Sequence, residues 1–224
     1  MTGPLIRPTR LVTAYRRYLD EQNSPAFASL IGQWYTSATL VSLLNRGQTE
    51  QRRAAALALG MMGDRWAIEP LGRALSDSDR GVRIAADDSF RILVLRDAAP
   101  VHQQQLLQVM HLNDGGEYAA ALSPALILVN QAPRYAEAHH QLAICHDGLG
   151  HHAEADAAYR ACLWHCRFHY SSWQSLASTR LLMGEPQRAL WALDRCLAIN
   201  PDLESARMQR LVLRRQLRDH FESR

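Results

Sequence analysis

The feature of this sequence that most constrains its fold is a 34-residue repeat in the second half of the chain. Trp173 lies one such period after His139. The other matched pairs are Leu142 and Leu176, Ala143 and Ala177, Gly150 and Gly184, Ala155 and Ala189, and Cys162 and Cys196. A unit of this length holds two helices and a turn, and neighbouring units stack to bury one apolar core. The second half is therefore predicted to be a stack of helix pairs.

A second repeat, with a 31-residue period, lies in the first half of the chain. It places Gln51–Ala55 over Val82–Ala86 and Thr39–Leu44 over Pro70–Leu75. Each unit has the pattern of a helix, a polar turn and a second helix with an alanine-rich face. Asp77 or Asp79 is the predicted N-cap of the helix that follows them. Gly60 and Gly63 are predicted to mark the end of the preceding helix.

The composition favours helices throughout. Hydrophobic residues make up 47% of the 224 residues and aromatic residues only 7%. Ala and Leu dominate the apolar set, which favours close-packed helices over the strands of a sheet. We predict an all-α fold, an α-α superhelix or solenoid. The longest nearly apolar run, Tyr118–Val129, is too short to cross a bilayer, so we expect no membrane association, and the irregularly spaced cysteines favour a cytoplasmic protein with reduced thiols.

Both repeats resemble known families. The stretch from Arg52 to Ala86, which begins RRAAALALGMMG, resembles the short HEAT repeats named after phycobilisome lyases, and the resemblance covers residues 36–95. In the second half, the tetratricopeptide (TPR) pattern is matched by Trp173, Leu176, Ala177, Gly184, Ala189 and Pro201. The preceding copy has His139 in place of Trp. A weaker first copy keeps Gly116, Tyr118, Ala121 and Pro133, and it has Pro124 inside its second helix, where a proline removes a backbone hydrogen bond.

These patterns predict four segments. Capping helices occupy residues 1–35, HEAT repeats 36–98, TPR repeats 99–202 and a basic capping helix 203–224. The boundary falls at Ala98-Ala99-Pro100, because a proline ends or begins a helix. Since nothing there resembles a flexible linker, we expect the two arrays to stack into one continuous right-handed solenoid.

The TPR resemblance implies that the first helix of each copy lines a binding groove. Carried over by position, the groove residues are Gln103, Leu106 and Met110, then Glu137, His140, Ile144 and Asp147, then Ser171, Gln174, Ser178, Leu181 and Leu182. The chain contains no lysine, so a lysine-based clamp for a peptide carboxylate is not expected. A mixed apolar and polar groove instead favours a helix or an extended segment with hydrophobic anchors. We predict a non-catalytic scaffold or adaptor that binds another protein and uses no cofactor.

No catalytic residues are predicted. The absence of lysine excludes a phosphate-loop lysine, a Schiff-base lysine and a Ser-Lys dyad. The acidic residues of the first half are expected to cap helices and to pair with arginines between repeats; they are Asp77, Asp79, Asp87 and Asp88, with Arg52 and Arg83 as partners.

Cysteines and histidines concentrate in one copy and leave two interpretations open. Cys162, His165, Cys166 and His169 have the spacing of one broad helix face and could ligate a soft metal. Cys162, however, is at the position that Cys196 holds in the next copy, where a small packed residue is expected. We favour packing, and predict no metal.

Two other functions remain as alternatives. The HEAT half resembles a lyase family, so a bilin lyase-like or chaperone-like protein is one, although a shared repeat is a weak guide to function. The second is HEAT-type nucleic-acid binding through the basic ends, which contain Arg7, Arg10, Arg16 and Arg17, and Arg207, Arg210, Arg214, Arg215, Arg218 and Arg224. We do not predict it, since a duplex contact usually needs a denser basic stripe.

Overall fold

The computed structural model describes the backbone of residues 9–222 and the side chains of residues 9–219. Within this range the chain forms thirteen α-helices and one 3-10 helix, without a strand, which confirms the all-α prediction. The helices are α1 Arg10–Glu21, α2 Ser24–Trp34, α3 Ser37–Arg46, α4 Thr49–Met62, α5 Ile68–Ala74, α6 Arg80–Leu95, α7 Pro100–Asp114, α8 Tyr118–Gln131, α9 Ala136–Gly148, α10 His152–His165, α11 Tyr170–Leu182, α12 Pro186–Ile199 and α13 Glu204–Glu222, with the 3-10 helix at Arg65–Ala67. None of these helices has the length and apolar character that a bilayer crossing requires. Arg7 and Arg224, at the predicted basic ends, lie outside the described residues.

The chain forms two compact units, the first ending at Leu93 and the second beginning at Val94. This division lies a few residues before the predicted boundary. The end of α6 contacts the second unit, since Leu95 packs against the buried cluster that includes Tyr135 and its carbonyl accepts a hydrogen bond from the Tyr135 hydroxyl. Pro100 is the first residue of α7, a position where the missing N–H has no helical partner to lose.

The first unit contains the 31-residue repeat as the helix pairs α3–α4 and α5–α6. Asp79 caps α6, since its Oδ1 accepts the Val82 N–H at 2.9 Å, as the sequence predicts. The alanines of α4 that the repeat predicts to be close-packed, Ala54, Ala55 and Ala58, are fully buried. The helices before these pairs, α1 and α2, have Thr9 and Asn23 as their N-caps, whose side chains accept the N–H groups of Val12 and Ala26.

Gly60 does not end α4, contrary to the sequence prediction. The helix continues to Met62, and Gly63 follows it as the C-cap. Gly60 is required for another reason: a Cβ there would come within 2.3 Å of Ser89 Oγ and 2.9 Å of Ser89 Cα, on α6. The glycine therefore allows the backbones of α4 and α6 to approach closely.

The second unit contains the 34-residue repeat as the pairs α7–α8, α9–α10 and α11–α12, followed by α13. The first helix of each pair ends in a turn with a glycine of left-handed backbone, Gly116, Gly150 or Gly184, with φ of 73°, 78° and 74°. One repeat period separates each of these glycines from the next. The first copy, whose sequence matches the family pattern least, thus forms the same turn as the other two, and Pro124 lies inside its second helix, α8.

Small residues recur where the second helix of each pair meets its neighbours. Ala121, Ala155 and Ala189 occupy equivalent positions and are all fully buried. Cys162 and Cys196 are also fully buried at equivalent positions. The burial pattern of the second unit therefore repeats with the period read from the sequence.

Candidate functional site

The groove residues predicted on α7 mostly serve the core of the second unit. Gln103 donates from Nε2 to the Ala98 carbonyl at 2.6 Å, beyond the end of α6. Leu106 lies in a buried cluster with Leu128 and Tyr135, and Met110 is partly buried against the same cluster. The prediction that Leu106 lines a groove is wrong, because its side chain is only 1% exposed.

Two predicted groove residues on α9, Glu137 and His140, are buried in contact with α11. Glu137 Oε2 is 2.9 Å from His169 Nε2, and its Oε1 accepts the Gln141 side-chain amide at 2.9 Å. His140 Nδ1 is 2.8 Å from Ser172 Oγ. Both side chains are therefore committed to contacts between copies and are not available on a groove surface.

The electrostatics of this contact follow from its burial. Burial by itself raises the pKa of Glu137, but the hydrogen bonds from His169 and Gln141 outweigh it and lower that pKa to about 2. Burial, with His169 nearby, lowers the pKa of His140 to about 4. At neutral pH, Glu137 is therefore an ionised carboxylate with two donors, and His140 is a neutral imidazole.

Ser172 is at the centre of this buried polar network. Its Oγ lies 2.8 Å from His140 Nδ1, 2.9 Å from His169 Nδ1 and 3.1 Å from Cys162 Sγ. The Ser172 backbone N–H also bonds His169 Nδ1 at 3.1 Å, which makes His169 the N-cap of α11. A serine hydrogen-bonded to a histidine, which is in turn hydrogen-bonded to a glutamate, has the components of a nucleophilic triad. Ser172 is 0% exposed, however, so its Oγ is closed to a substrate and the arrangement joins α9, α10 and α11.

The network continues from α9 towards α7. Asn113 Nδ2 donates to the Gln141 carbonyl at 3.0 Å and to its side-chain oxygen at 2.9 Å. Cys145 Sγ contacts Asn113 Oδ1 at 3.1 Å. A continuous set of hydrogen bonds therefore connects α7, α9 and α11, the first helices of all three copies.

Asp147, another predicted groove residue, joins α9 and α11 near their C-terminal ends. Its Oδ2 accepts the Thr179 hydroxyl at 2.6 Å, and its Oδ1 is 3.1 Å from His152 Nδ1. Ile144, one turn earlier, is half-buried. The α9 positions are thus occupied by contacts within the protein, and little of this predicted groove remains open.

The predicted residues on α11 are more accessible. Ser171 is half-buried and Ser178 is exposed. Gln174 reaches α13, where its Nε2 donates to Ser205 Oγ at 3.0 Å and to Gln209 Oε1 at 3.2 Å. Residues 31 and 35 positions after Gln174 therefore face it across the α11–α13 contact.

The same 31-residue offset pairs the following turns of α11 and α13, and the side chains there form an exposed surface. Val212 follows Leu181 at the same offset at which Ser205 follows Gln174, and it shares one side of α13 with Ser205, Met208 and Gln209 by helical spacing. We call this surface the groove face; its members are Ser178, Leu181, Leu182, Met208 and Val212. Leu181 is 41% and Leu182 67% exposed, and Met208 and Val212 are each about half exposed.

The four cysteines and histidines with metal-ligating spacing, Cys162, His165, Cys166 and His169, do not converge on one point. Cys162 and Cys166 are buried, whereas His165 is exposed and stacks on His139 with ring centroids 5.3 Å apart. Burial raises the pKa of Cys166 to about 11 and that of Cys196 to about 12, so these thiols are protonated at neutral pH. Between residues 9 and 219, no three His, Cys, Asp or Glu side chains are arranged to hold a metal ion.

The first unit contains pairs between arginines and aspartates, of which Arg52 with Asp77 is a predicted one, whereas Arg53 is not among the predicted partners. Arg52 donates to both carboxylate oxygens of Asp77 at 2.8 Å, and Arg53 to both oxygens of Asp79 at 2.7 and 2.8 Å. The hydrogen bonds from Arg53 lower the pKa of Asp79 below its ordinary range. Arg83 donates to the Asp77 carbonyl at 2.9 Å. These pairs connect α4 to the turn before α6, which is a structural role.

The buried network has a sequence signal that composition and family pattern do not reveal. Glu137 and His169, His140 and Ser172, and Asp147 and Thr179 are each 32 residues apart. This spacing is two residues shorter than the 34-residue repeat. It places the two polar residues opposite each other on the first helices of neighbouring copies. Complementary polar residues 32 positions apart are therefore the sequence signal of this network.

Comparison with known proteins gives three findings. The family model described as PBS lyase HEAT-like repeat matches residues 51–77, which include most of α4 and all of α5. No curated protein matches the chain. Among solved structures, the chain is similar to YrrB, described as a TPR protein with an unusual peptide-binding site, with 16% identity over 88% of this chain and 96% of that one and a TM-score of 0.46. It is also similar to TTC0263, a thermophilic TPR protein of Thermus thermophilus, with 18% identity over 91% and 96% of the two chains and a TM-score of 0.40.

Proposed function

We propose that this protein is a non-catalytic adaptor and that a peptide or helix of a partner protein binds to the groove face of its second unit. The observation that carries the proposal is the exposed apolar strip formed by Leu181 and Leu182 on α11 with Met208 and Val212 on α13. Equivalent surface between α9 and α11 is filled by buried polar contacts. The last copy therefore presents open apolar side chains along its first helix, α11, whereas α9, the first helix of the preceding copy, does not.

Apolar side chains at helical spacing suit a partner that is itself extended or helical. Leu181 and Leu182 lie at the end of α11, and the neighbouring side chains Gln174, Ser205 and Gln209 are polar. Clustered apolar surface with a polar border is typical of sites where a protein segment binds. Such a segment would cover the leucines with one or two apolar anchors and meet the amides with polar groups.

An affinity pull-down from the native host tests the proposal. The wild-type chain is compared with Leu181→Glu/Leu182→Glu, which places two charges on the groove face and is expected to lower retention of a specific partner by at least about tenfold. Retained proteins are identified by mass spectrometry, and circular dichroism checks that the variant remains helical.

A matched control comes from α8, where Leu126 and Ile127 are also consecutive and exposed, at 42% and 50%. Leu126→Glu/Ile127→Glu adds the same charge away from the groove face and is expected to retain the partner. Equal loss in both variants, or equal retention by the wild type and the groove variant, would count against the proposed surface.

A further inference from the structure

The last helix, α13, has three differently composed sides. One side packs on α12 through Ala206 and Leu213, which are buried. A second side carries Met208 and Val212, which belong to the groove face. The third, which we call the outer stripe, follows the spacing i, i+4, i+7, i+8 and i+11; its members are Arg207, Leu211, Arg214, Arg215 and Arg218.

In the preceding copy, the positions equivalent to Arg207 and Leu211 of the outer stripe are covered by a helix. Arg207 and Leu211 lie one repeat period after Trp173 and Ala177 on α11, and both of these α11 side chains are buried. The Trp173 ring meets Trp191 of α12 with centroids 5.2 Å apart, so α12 covers this side of α11. On α13 the same side is open, because Leu211 is 63% exposed.

The outer stripe of α13 differs chemically from the equivalent side of α11. Where α11 presents a tryptophan and an alanine to α12, α13 presents arginine and leucine, which cannot accept the same close-packed helix. Arg214 is bound to Asp194 at 3.0 Å, whereas Arg207 has only a 3.5 Å contact to Glu204. Arg215 is exposed and, within the described part of the chain, is in none of the salt bridges. The stripe is therefore a basic surface with an apolar centre.

From this arrangement we infer that the outer stripe binds an acidic amphipathic helix of a partner protein, in the place where α10 covers α9 and α12 covers α11. Arg207 to Arg218 spans about 16 Å of helix axis, or about three turns. Arginine guanidinium groups bind carboxylates through two parallel hydrogen bonds. Carboxylates spaced along a partner helix meet Arg207 and Arg215, while an apolar residue between them covers Leu211.

The apolar centre favours a protein partner over a nucleic acid. Leu211 lies between the arginines, and the exposed Met208 and Val212 flank it on the groove side. A phosphate backbone would neutralise the arginines but leave these side chains in water, whereas a helix with apolar and acidic positions covers both. The outer stripe borders the groove face at Met208 and Val212, but the inference is argued from Arg207, Leu211 and Arg215 and does not depend on the proposed function.

Fluorescence anisotropy with a designed probe tests the inference on the full-length chain. The probe is a labelled peptide of Ala, Leu and Glu, about 18 residues long so that it can form a helix, with Glu on either side of a leucine stripe. Its matched control has every Glu replaced by Gln. The acidic peptide is expected to bind at least about tenfold more tightly than the Gln peptide at low salt, and the difference is expected to shrink as salt is added.

The variants separate charge from apolar contact. Arg207→Gln/Arg215→Gln and, separately, Leu211→Gln are each expected to weaken binding of the acidic peptide by about tenfold. Arg160→Gln/Arg188→Gln, which removes two exposed arginines from α10 and α12, is expected to leave it unchanged. Failure of the acidic peptide to bind, equal binding of the Gln peptide, or insensitivity to Leu211→Gln with displacement by duplex DNA would overturn the inference.

Discussion

Ser172 shows how one buried hydroxyl joins several helices. A serine Oγ has one proton and two acceptor sites, and here it lies within hydrogen-bond distance of two imidazoles and a thiol. Buried polar groups are costly when left without partners. Each member of this network therefore constrains the positions of the others, and α9, α10 and α11 are held in one register.

Ser172→Ala is expected to destabilise the protein by about 1–3 kcal/mol, because it leaves His140 Nδ1 buried without its partner. Urea unfolding followed by circular dichroism measures the change. Ser178→Ala, on the exposed surface of the same helix, serves as the control and should unfold near the wild-type midpoint. Coincident curves for the two variants would contradict the structural role of Ser172.

Acidification is expected to destabilise the second unit through His140. Its pKa is lowered to about 4 in the folded protein, so as the pH falls below about 6.5 the unfolded state takes up a proton that the folded state does not. The free energy of unfolding should fall by about 3 kcal/mol between about pH 6.5 and about pH 4. Glu137, with a pKa lowered to about 2, extends the loss of stability below about pH 4.5.

The pH effect is measured as unfolding free energy against pH for the wild type and His140→Asn. Asparagine places a hydrogen-bonding group near the position of Nδ1 but does not titrate. A shallower dependence between about pH 6.5 and about pH 4 in the variant is the expected result. Parallel curves would show that His140 does not contribute.

Among the helices, α4 and α6 show how a contact between elements depends on one missing methyl group. The atoms nearest to a Cβ added at Gly60 include the backbone of Ser89, which cannot rotate away as a flexible side-chain end would. The separation of the two helices is therefore set by glycine. Any larger residue must move one helix relative to the other.

Gly60→Ala is expected to destabilise the first unit by roughly 1–3 kcal/mol through this overpacking, despite the better helix propensity of alanine. Thermal unfolding checks it. Gly32→Ala provides the contrast in the same unit, because the nearest contact of its added Cβ is Met62 Cε at an ordinary 3.4 Å; there the propensity gain of roughly 0.5–1 kcal/mol should dominate. Equal shifts of the same sign would argue against the close approach of α4 and α6.

For the whole molecule, the repeats are the part that the sequence predicts well. The 34-residue period places Gly116, Gly150 and Gly184 in the same left-handed turn, and this holds even in the copy with the weakest pattern. The period is visible because turn geometry and close packing each restrict a position to a few residue types. Helix pairs and their small contact residues follow directly from it.

The groove is the part that the sequence predicts poorly. Family position assigns Glu137, His140 and Ser178 to the same kind of surface, yet the first two are buried and the third is exposed. The difference arises from the neighbouring helix: α11 offers His169 and Ser172 as partners to α9, while α13 offers apolar Met208 and Val212 to α11. Whether a repeat position is exposed therefore depends on a residue about 32 positions later, in the next copy. A pattern that describes one copy alone does not include that residue.

The polar pairs between α9 and α11 also fix the order of the copies. If recombination removed one 34-residue copy, residues 136–169, the helices would still follow one another with the same period. Asn113, however, would meet Ser175 in place of Gln141, and the partners of Ser172 would be gone. Identical repeats would be interchangeable modules, but these side chains make each copy specific to its neighbour, so a shuffled array would retain its helices and lose its fit.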